Sequence, residues 1–293
     1  MKNILIIIIC SALLAVGIAF AFSPPGDQIL SSFGPEPSTV TFQKFTEAYT
    51  GDWKQYGQVF TNWQVSLFSR VFLLVITLVP AAFLIHFLVI GAKHFDHEGP
   101  QVFYFGVFCR IIHWVAAASF TVLVITGLMI IFGNYLGGGA LVRGGRTIHI
   151  ISALVMAASA IPMFLIWIKD MFPALHDIKW MFIMGGYLSK KKKPVPAGKF
   201  NAGQKMWFWM ATVGSGVMAY SGYILYAFQG STDQIRVMAM IHNLLGAAIL
   251  VFFIIHMYMS IFAIKGAISS MINGHKALEE VEILHSRYKI PGA

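Results

Sequence analysis

Apolar residues along this chain run in blocks too long for any soluble amphipathic helix. After Lys2, residues Ile4 to Phe22 carry no charge and end in Ala19-Phe20-Ala21. A short basic start, an apolar middle and small residues at the end form a signal-peptide pattern, so residues 1–23 read as a signal peptide or N-terminal anchor. Residues 24–66 are polar, with Pro24, Pro25, Pro35 and Pro37 and the aromatics Trp53, Tyr56 and Trp63. They read as an exported, partly helical segment that packs on a partner. Five further apolar runs follow: Arg70–Ala92, Phe103–Phe132, Thr147–Ile168, Met206–Phe228 and Arg236–Lys265. Each is long enough for a membrane helix, which needs about 20 apolar residues. The pattern divides the chain into an extra span with its polar turn (67–99), a four-helix core (100–265) and a mixed-charge soluble tail (266–293).

Orientation follows from where the lysines bunch. Lys190–Lys193 form a run of four, with Lys199 and Lys205 nearby. Basic loops stay in the cytoplasm, so the loop Lys169–Lys205, the break Lys93–Gly99 and the tail are expected inside. The glycine-rich loop Gly133–Arg146 and residues 24–66 then fall outside, in the periplasm of a bacterial inner membrane. Composition agrees: 57% of the 293 residues are hydrophobic and 11% charged, against about 25% charged in soluble domains. The +9 net charge therefore reports topology, and no nucleic-acid partner is expected. Lipid is the surrounding medium.

Histidine is the residue type that this pattern makes conspicuous. His242 and His256 lie in one apolar run, 14 residues apart (242 to 256). On an α-helix that is four turns less about 40°, and roughly 21 Å of rise, so both imidazoles lie near one face at two depths. An ionisable group in a membrane helix is costly and marks function. By depth, His113 pairs with His256 near the cytoplasmic face, and His149 with His242 near the outer face. Paired imidazoles suit the axial positions of two haems; the plainer alternative is histidines hydrogen-bonded to neighbouring helices. The two cysteines, Cys10 and Cys109, offer no CxxCH for covalent haem and no cluster ligands, so any haem would be b-type. No Asp or Glu occurs in the four central spans, which favours electron transfer over a proton relay. Gly127, Gly222 and Gly246 fall where a macrocycle, or simply a close helix, needs room. His86 reads as a packed histidine, and His94 with His97 as an interfacial loop without a third ligand. Arg143 and Arg146, basic on the outer side, are candidate haem-propionate partners, as is Arg110.

The segments CRIIHW, GRTIHI, KFNAGQKMWFW, MIHNLLG and IHMYMSIFAIKGAISSMINGH resemble the cytochrome b (gamma) subunit of membrane-bound respiratory formate dehydrogenases, over about Phe103–His275. The resemblance implies an all-α integral membrane protein: a four-helix transmembrane diheme cytochrome b bundle, here with one extra N-terminal span and the signal-like segment. It implies two haem b, an outer one held by His149 and His242 and an inner one by His113 and His256. It places a quinone, menaquinone or ubiquinone, beside Asn201, Gly203, Gln204 and His256. The implied partners are an iron–sulfur subunit and a molybdenum- or tungsten-pterin catalytic subunit, in a complex open to higher oligomerisation. Unaided chemistry agrees, since a quinone carbonyl needs donors that stabilise developing negative charge; Asn201 could equally be a helix N-cap. Rival readings are the cytochrome b subunit of a nickel–iron hydrogenase, a metal transporter or assembly protein without haem, and a stand-alone ferric reductase.

Overall fold

A computed structural model describes residues 38–50 and 56–290. The expectations for residues 1–23, for the prolines before residue 38 and for Trp53 lie outside the described residues. Those that are described form helices almost throughout: α1 (Ser38–Thr50), α2 (Gly57–Val89), α3 (Val107–Ile131), α4 (Gly139–Trp167), α5 (Leu175–Phe182), α6 (202–227), α7 (Thr232–Ala263), α8 (Ser269–Ile272) and α9 (Leu278–Leu284). One two-stranded antiparallel ribbon joins β1 (Gln101–Phe103) to β2 (His275–Ala277), with Val102 opposite Lys276.

Among the described residues, α2, α3, α4 and α7 are long and apolar enough to cross a membrane, so the protein is a multi-pass membrane protein. The fourth helix of the expected core, α6, is continuous but more polar, carrying Gln204, Lys205, Thr212, Ser215 and Ser221. Helix α2 starts at Gly57, inside the segment read as polar, because Gln58, Asn62 and Gln64 do not oppose helix and the chain passes through a wide turn at Trp63–Leu67. Pro80 in α2 and Pro162 in α4 are tolerated because membrane helices re-satisfy the freed carbonyls locally.

The chain sorts into two compact units. The first takes residues up to Leu73 with Val115–Ala158 and Ser215–Ala248. Its interior is built on Phe60, Phe68, Phe72, Phe120 and Met156. Small residues let side chains close in: a Cβ on Gly246 would sit 3.4 Å from Met218 Cε and 3.6 Å from Phe72 Cζ. This glycine is a packing position. Arg236, only 2% exposed, pins α1 to α7 by donating to the carbonyls of Ala48 (3.0 Å) and Glu47 (3.1 Å) and pairing with Asp233 (3.0 Å). Part of the segment expected to meet a partner thus packs on its own chain.

The second unit takes Leu74–Trp114, Ser159–Gly214 and Ile249–Ala293. Here the loop with the lysine run and the tail fold together rather than extending as solvated polar chain. Val195 N–H donates to Ile283 O (2.7 Å), Ser286 N–H to Val195 O (3.2 Å) and Arg287 N–H to Ala197 O (2.9 Å). Lys276 and Glu280 form a buried pair at 2.5 Å. Lys190–Lys193 are exposed, as a topological signal should be, but Lys205 is buried and pairs with Asp177 at 2.7 Å. On α5, Leu175, Ile178, Met181 and Phe182 are all exposed; spaced three or four apart, they give an apolar stripe suited to a membrane interface.

Candidate functional site

In the first unit, α4 presents His149 and α7 presents His242 toward one another. Their ring centroids are 6.4 Å apart, with planes inclined at 62°. The sequence pairs them by depth, and the structure brings them together. The two surroundings repeat one device. Thr126 Oγ1 lies 2.9 Å from His149 Nδ1, and Ser221 Oγ lies 3.0 Å from His242 Nδ1. Each hydroxyl already donates to a carbonyl four residues back, Thr126 to Val122 at 2.7 Å and Ser221 to Val217 at 2.8 Å. Its remaining lone pair therefore accepts, and the imidazole donates from Nδ1. Nε2 is then the nitrogen of each ring that keeps a free lone pair.

The residue after each hydroxyl is glycine. A Cβ on Gly127 would stand 3.4 Å from His149 Cε1, and one on Gly222 would stand 3.2 Å from His242 Cε1. Both glycines are thus places where an imidazole edge meets bare backbone. Sequence reasoning picked out the glycines but missed Thr126 and Ser221; the signal was a hydroxyl–glycine dipeptide on each of two helices.

In the second unit, His113 on α3 faces His256 on α7 with ring centroids 6.3 Å apart and planes at 59°. Metal–imidazole bonds of about 2.0 Å and a ring radius of about 1.1 Å, from ring bonds of about 1.33 Å, put imidazoles opposed across one metal about 6.2 Å apart. Both pairs meet that spacing, and half-buried rings in apolar helices are the donor set haem iron takes. Among the described residues no cluster of three or more His, Cys, Asp or Glu could hold a bare ion. The second pair differs in its supports. Among the described residues His113 Nδ1 is buried without a hydrogen-bond partner, while the His256 ring stacks on Trp207 at 5.1 Å and 17°.

Trp207 belongs to α6, whose first turn carries the asparagine–glutamine segment. Asn201 Oδ1 accepts from Gln204 N–H, and Gln204 Oε1 accepts from Asn201 N–H, both at 2.9 Å. This reciprocal cap starts the helix and uses only the side-chain oxygens, so the amide NH2 groups remain as donors. Gly203 sits under Trp180, where a Cβ would be 3.0 Å from Cη2. The cap reading of Asn201 holds, and it is compatible with donation to a ligand carbonyl. Around this unit burial perturbs several groups: Lys93, whose ammonium donates to the Ser189 carbonyl at 2.8 Å, is held below the usual lysine range by burial and then by Lys192.

The remaining candidates fall out as follows. His86 Nδ1 accepts from Tyr258 Oη (2.6 Å) and Nε2 donates to Tyr187 O (2.9 Å), a hydrogen-bonded histidine as expected. His97 Nε2 donates to Lys265 O at 2.6 Å, and His94 is exposed. Arg110, one turn before His113, gives Nη1 to Ile272 O at 2.5 Å and has a buried Nε without a partner. Arg143 and Arg146 are exposed on the opening turns of α4, ahead of His149.

Residues 104–274 match the family described as prokaryotic cytochrome b561. The cytochrome b556(Fdn) subunit of the nitrate-inducible formate dehydrogenase of Escherichia coli (strain K12) is 26% identical over 187 residues, covering 61% of this chain and 86% of the relative. The cytochrome b556(fdo) subunit of formate dehydrogenase from the same strain is 29% identical over 177 residues, covering 56% and 81%. A formate dehydrogenase cytochrome b556 subunit of Haemophilus influenzae is 24% identical over 190 residues, covering 61% and 78%. Helices α1 and α2 lie before the family match. The matched stretch takes in all four histidines of the two pairs, and the chain belongs to the prokaryotic cytochrome b561 family, a multi-pass membrane cytochrome b.

Proposed function

We propose that this protein is the membrane cytochrome b subunit of a formate dehydrogenase complex. It would take electrons from a periplasmic iron–sulfur subunit, fed by a molybdenum- or tungsten-pterin subunit, and deliver them to quinone on the cytoplasmic side of the inner membrane. The observation that carries the reading is the sorting of four histidines into two facing pairs at 6.3 and 6.4 Å. The names of the relatives favour formate over hydrogen as the donor of the complex.

His149 and His242 would hold the outer haem b, and His113 and His256 the inner one. Bound haem b supplies reversible one-electron carriage. Arg143 and Arg146, exposed ahead of His149, would meet propionates outside, and Arg110, one turn before His113, would do the same inside. The amide NH2 groups of Asn201 and Gln204 would donate to a quinone carbonyl, and Gly203 keeps the first turn of α6 close to Trp180. Reduction of a quinone to quinol takes two electrons and two protons. With electrons entering outside and protons drawn from the lysine-loop side, turnover moves charge against the membrane potential, at about 2.3 kcal/mol per charge per 100 mV.

The test is haem quantitation with single-residue variants. Purified protein should contain two haem b per chain, His242→Ala and His113→Ala one each, and Asn201→Ala both while quinone reduction slows. A colourless protein, or one haem per chain, overturns the reading. Sealed vesicles that reduce quinone without proton uptake on the lysine-loop side overturn the charge-moving part.

A further inference from the structure

The two histidine pairs have the same spacing but different supports. Around His149 and His242, Thr126 and Ser221 accept from Nδ1 at 2.9 and 3.0 Å, and they are 4% and 0% exposed. Both hydroxyls are thus buried away from bulk solvent. Both hydroxyl protons are committed to carbonyls of their own helices, so the direction of each bond is fixed. In the other pair, His113 Nδ1 is buried and has no acceptor among the described residues, and His256 is steadied by a ring stack on Trp207.

We propose that Thr126 and Ser221 are positioning residues that lock His149 and His242 in the Nδ1–H form and make the iron between them harder to reduce than the iron between His113 and His256. The inference rests on the haem reading above. An acceptor at Nδ1 fixes the tautomer and ring orientation of a ligating imidazole and raises its basicity. A more basic imidazole stabilises ferric over ferrous iron, and second-shell hydrogen bonding is one of the levers on haem potential. Hydrogen bonds of this kind contribute about 1 kcal/mol each; if about half to all of that is differential between the two iron states, each hydroxyl shifts the reduction equilibrium roughly two- to fivefold. That corresponds to about 20 to 40 mV per hydroxyl for a one-electron couple. The outer iron becomes the lower-potential member, which orders the pair for electron flow toward the inner site.

The experiment is a redox titration of the purified protein, followed in the haem α-band, on wild type, Thr126→Val, Ser221→Ala and the double variant, with Thr126→Ser as the conservative control. Haem content and low-temperature ferric EPR are recorded on the same samples. Two haems should remain in the single variants, because neither substitution touches any of the four histidines. The lower-potential step should rise in each, and by the summed amount in the double variant, while the higher-potential step and its EPR signal stay put. Thr126→Ser should titrate as wild type. Two retained haems with unmoved midpoints overturn the inference, as does movement of the higher-potential step. If the double variant loses haem, the single variants decide. Wild-type protein without bis-histidine haem would instead overturn the functional reading itself.

Discussion

Lowering the pH from 7 to 5 should loosen the packing of the C-terminal tail on the lysine loop, through His285. This imidazole is 2% exposed and donates from Nδ1 to Gly198 O at 2.8 Å. Burial, and then the nearby Lys276 ammonium, hold its pKa down to about 3, against the pull of the Gly198 carbonyl. Tyr104 packs on the ring with centroids 5.9 Å apart, and Glu280 is engaged by Lys276. The folded state therefore keeps His285 neutral, whereas an unfolded tail would take up a proton below its ordinary value of about 6.5. Stability is full above that value and is lost as pH falls toward 3. At pH 5 the loss is about 1.5 pH units at about 1.36 kcal/mol each, close to 2 kcal/mol. That figure is insensitive to the folded value as long as it lies well below 5. The assay is hydrogen exchange at Val195, Ser286 and Arg287, whose N–H groups bridge loop and tail. After correction for intrinsic exchange, protection should fall about thirtyfold between pH 7 and 5, the equivalent of about 2 kcal/mol. His285→Gln, which keeps a donor but does not titrate, should abolish the dependence. An equal acid loss in His285→Gln, or flat protection in the wild type, refutes the argument.

Asp177→Asn should cost about 3 to 5 kcal/mol in detergent unfolding, because it leaves the buried Lys205 ammonium uncompensated; adding Lys205→Met should recover more than half. Gly222→Ala should lower haem content at the His149–His242 pair more than Gly127→Ala does, since the added carbon meets Cε1 at 3.2 rather than 3.4 Å, an overpacking cost of about 1 to 3 kcal/mol. Equal retention in pyridine haemochrome assays would contradict that ranking. Tyr258→Phe removes the donor to His86 Nδ1 and should destabilise the protein by about 1 kcal/mol with both haem spectra unchanged; an altered α-band would mean that Tyr258 acts on the His256 site.

What was legible in the sequence is what the bilayer and the helix repeat constrain together. A membrane helix has a fixed rise, so His242 and His256 announce their separation, and depth alone then assigns His149 and His113 to them. Thr126 and Ser221 were not legible for a physical reason. Hydroxyls bonded to their own helix are commonplace in these spans, as Thr121 to Ala117 and Thr212 to Phe208 illustrate, and only the ring opposite distinguishes the two that matter. The tail failed to show itself for the reverse reason. Mixed charge reads as solvated, but Lys276, Glu280 and His285 are buried because they satisfy one another and the carbonyls of the loop. Lys205 misleads in the same way, counted with the exposed lysines although Asp177 neutralises it inside. Periodicity therefore located the imidazoles that meet in pairs, where geometry is imposed by the helix itself. It missed those whose placement depends on a partner from elsewhere in the chain, and the difference between the two histidine pairs belongs to that second kind: the same imidazoles at the same spacing differ in what stands behind Nδ1.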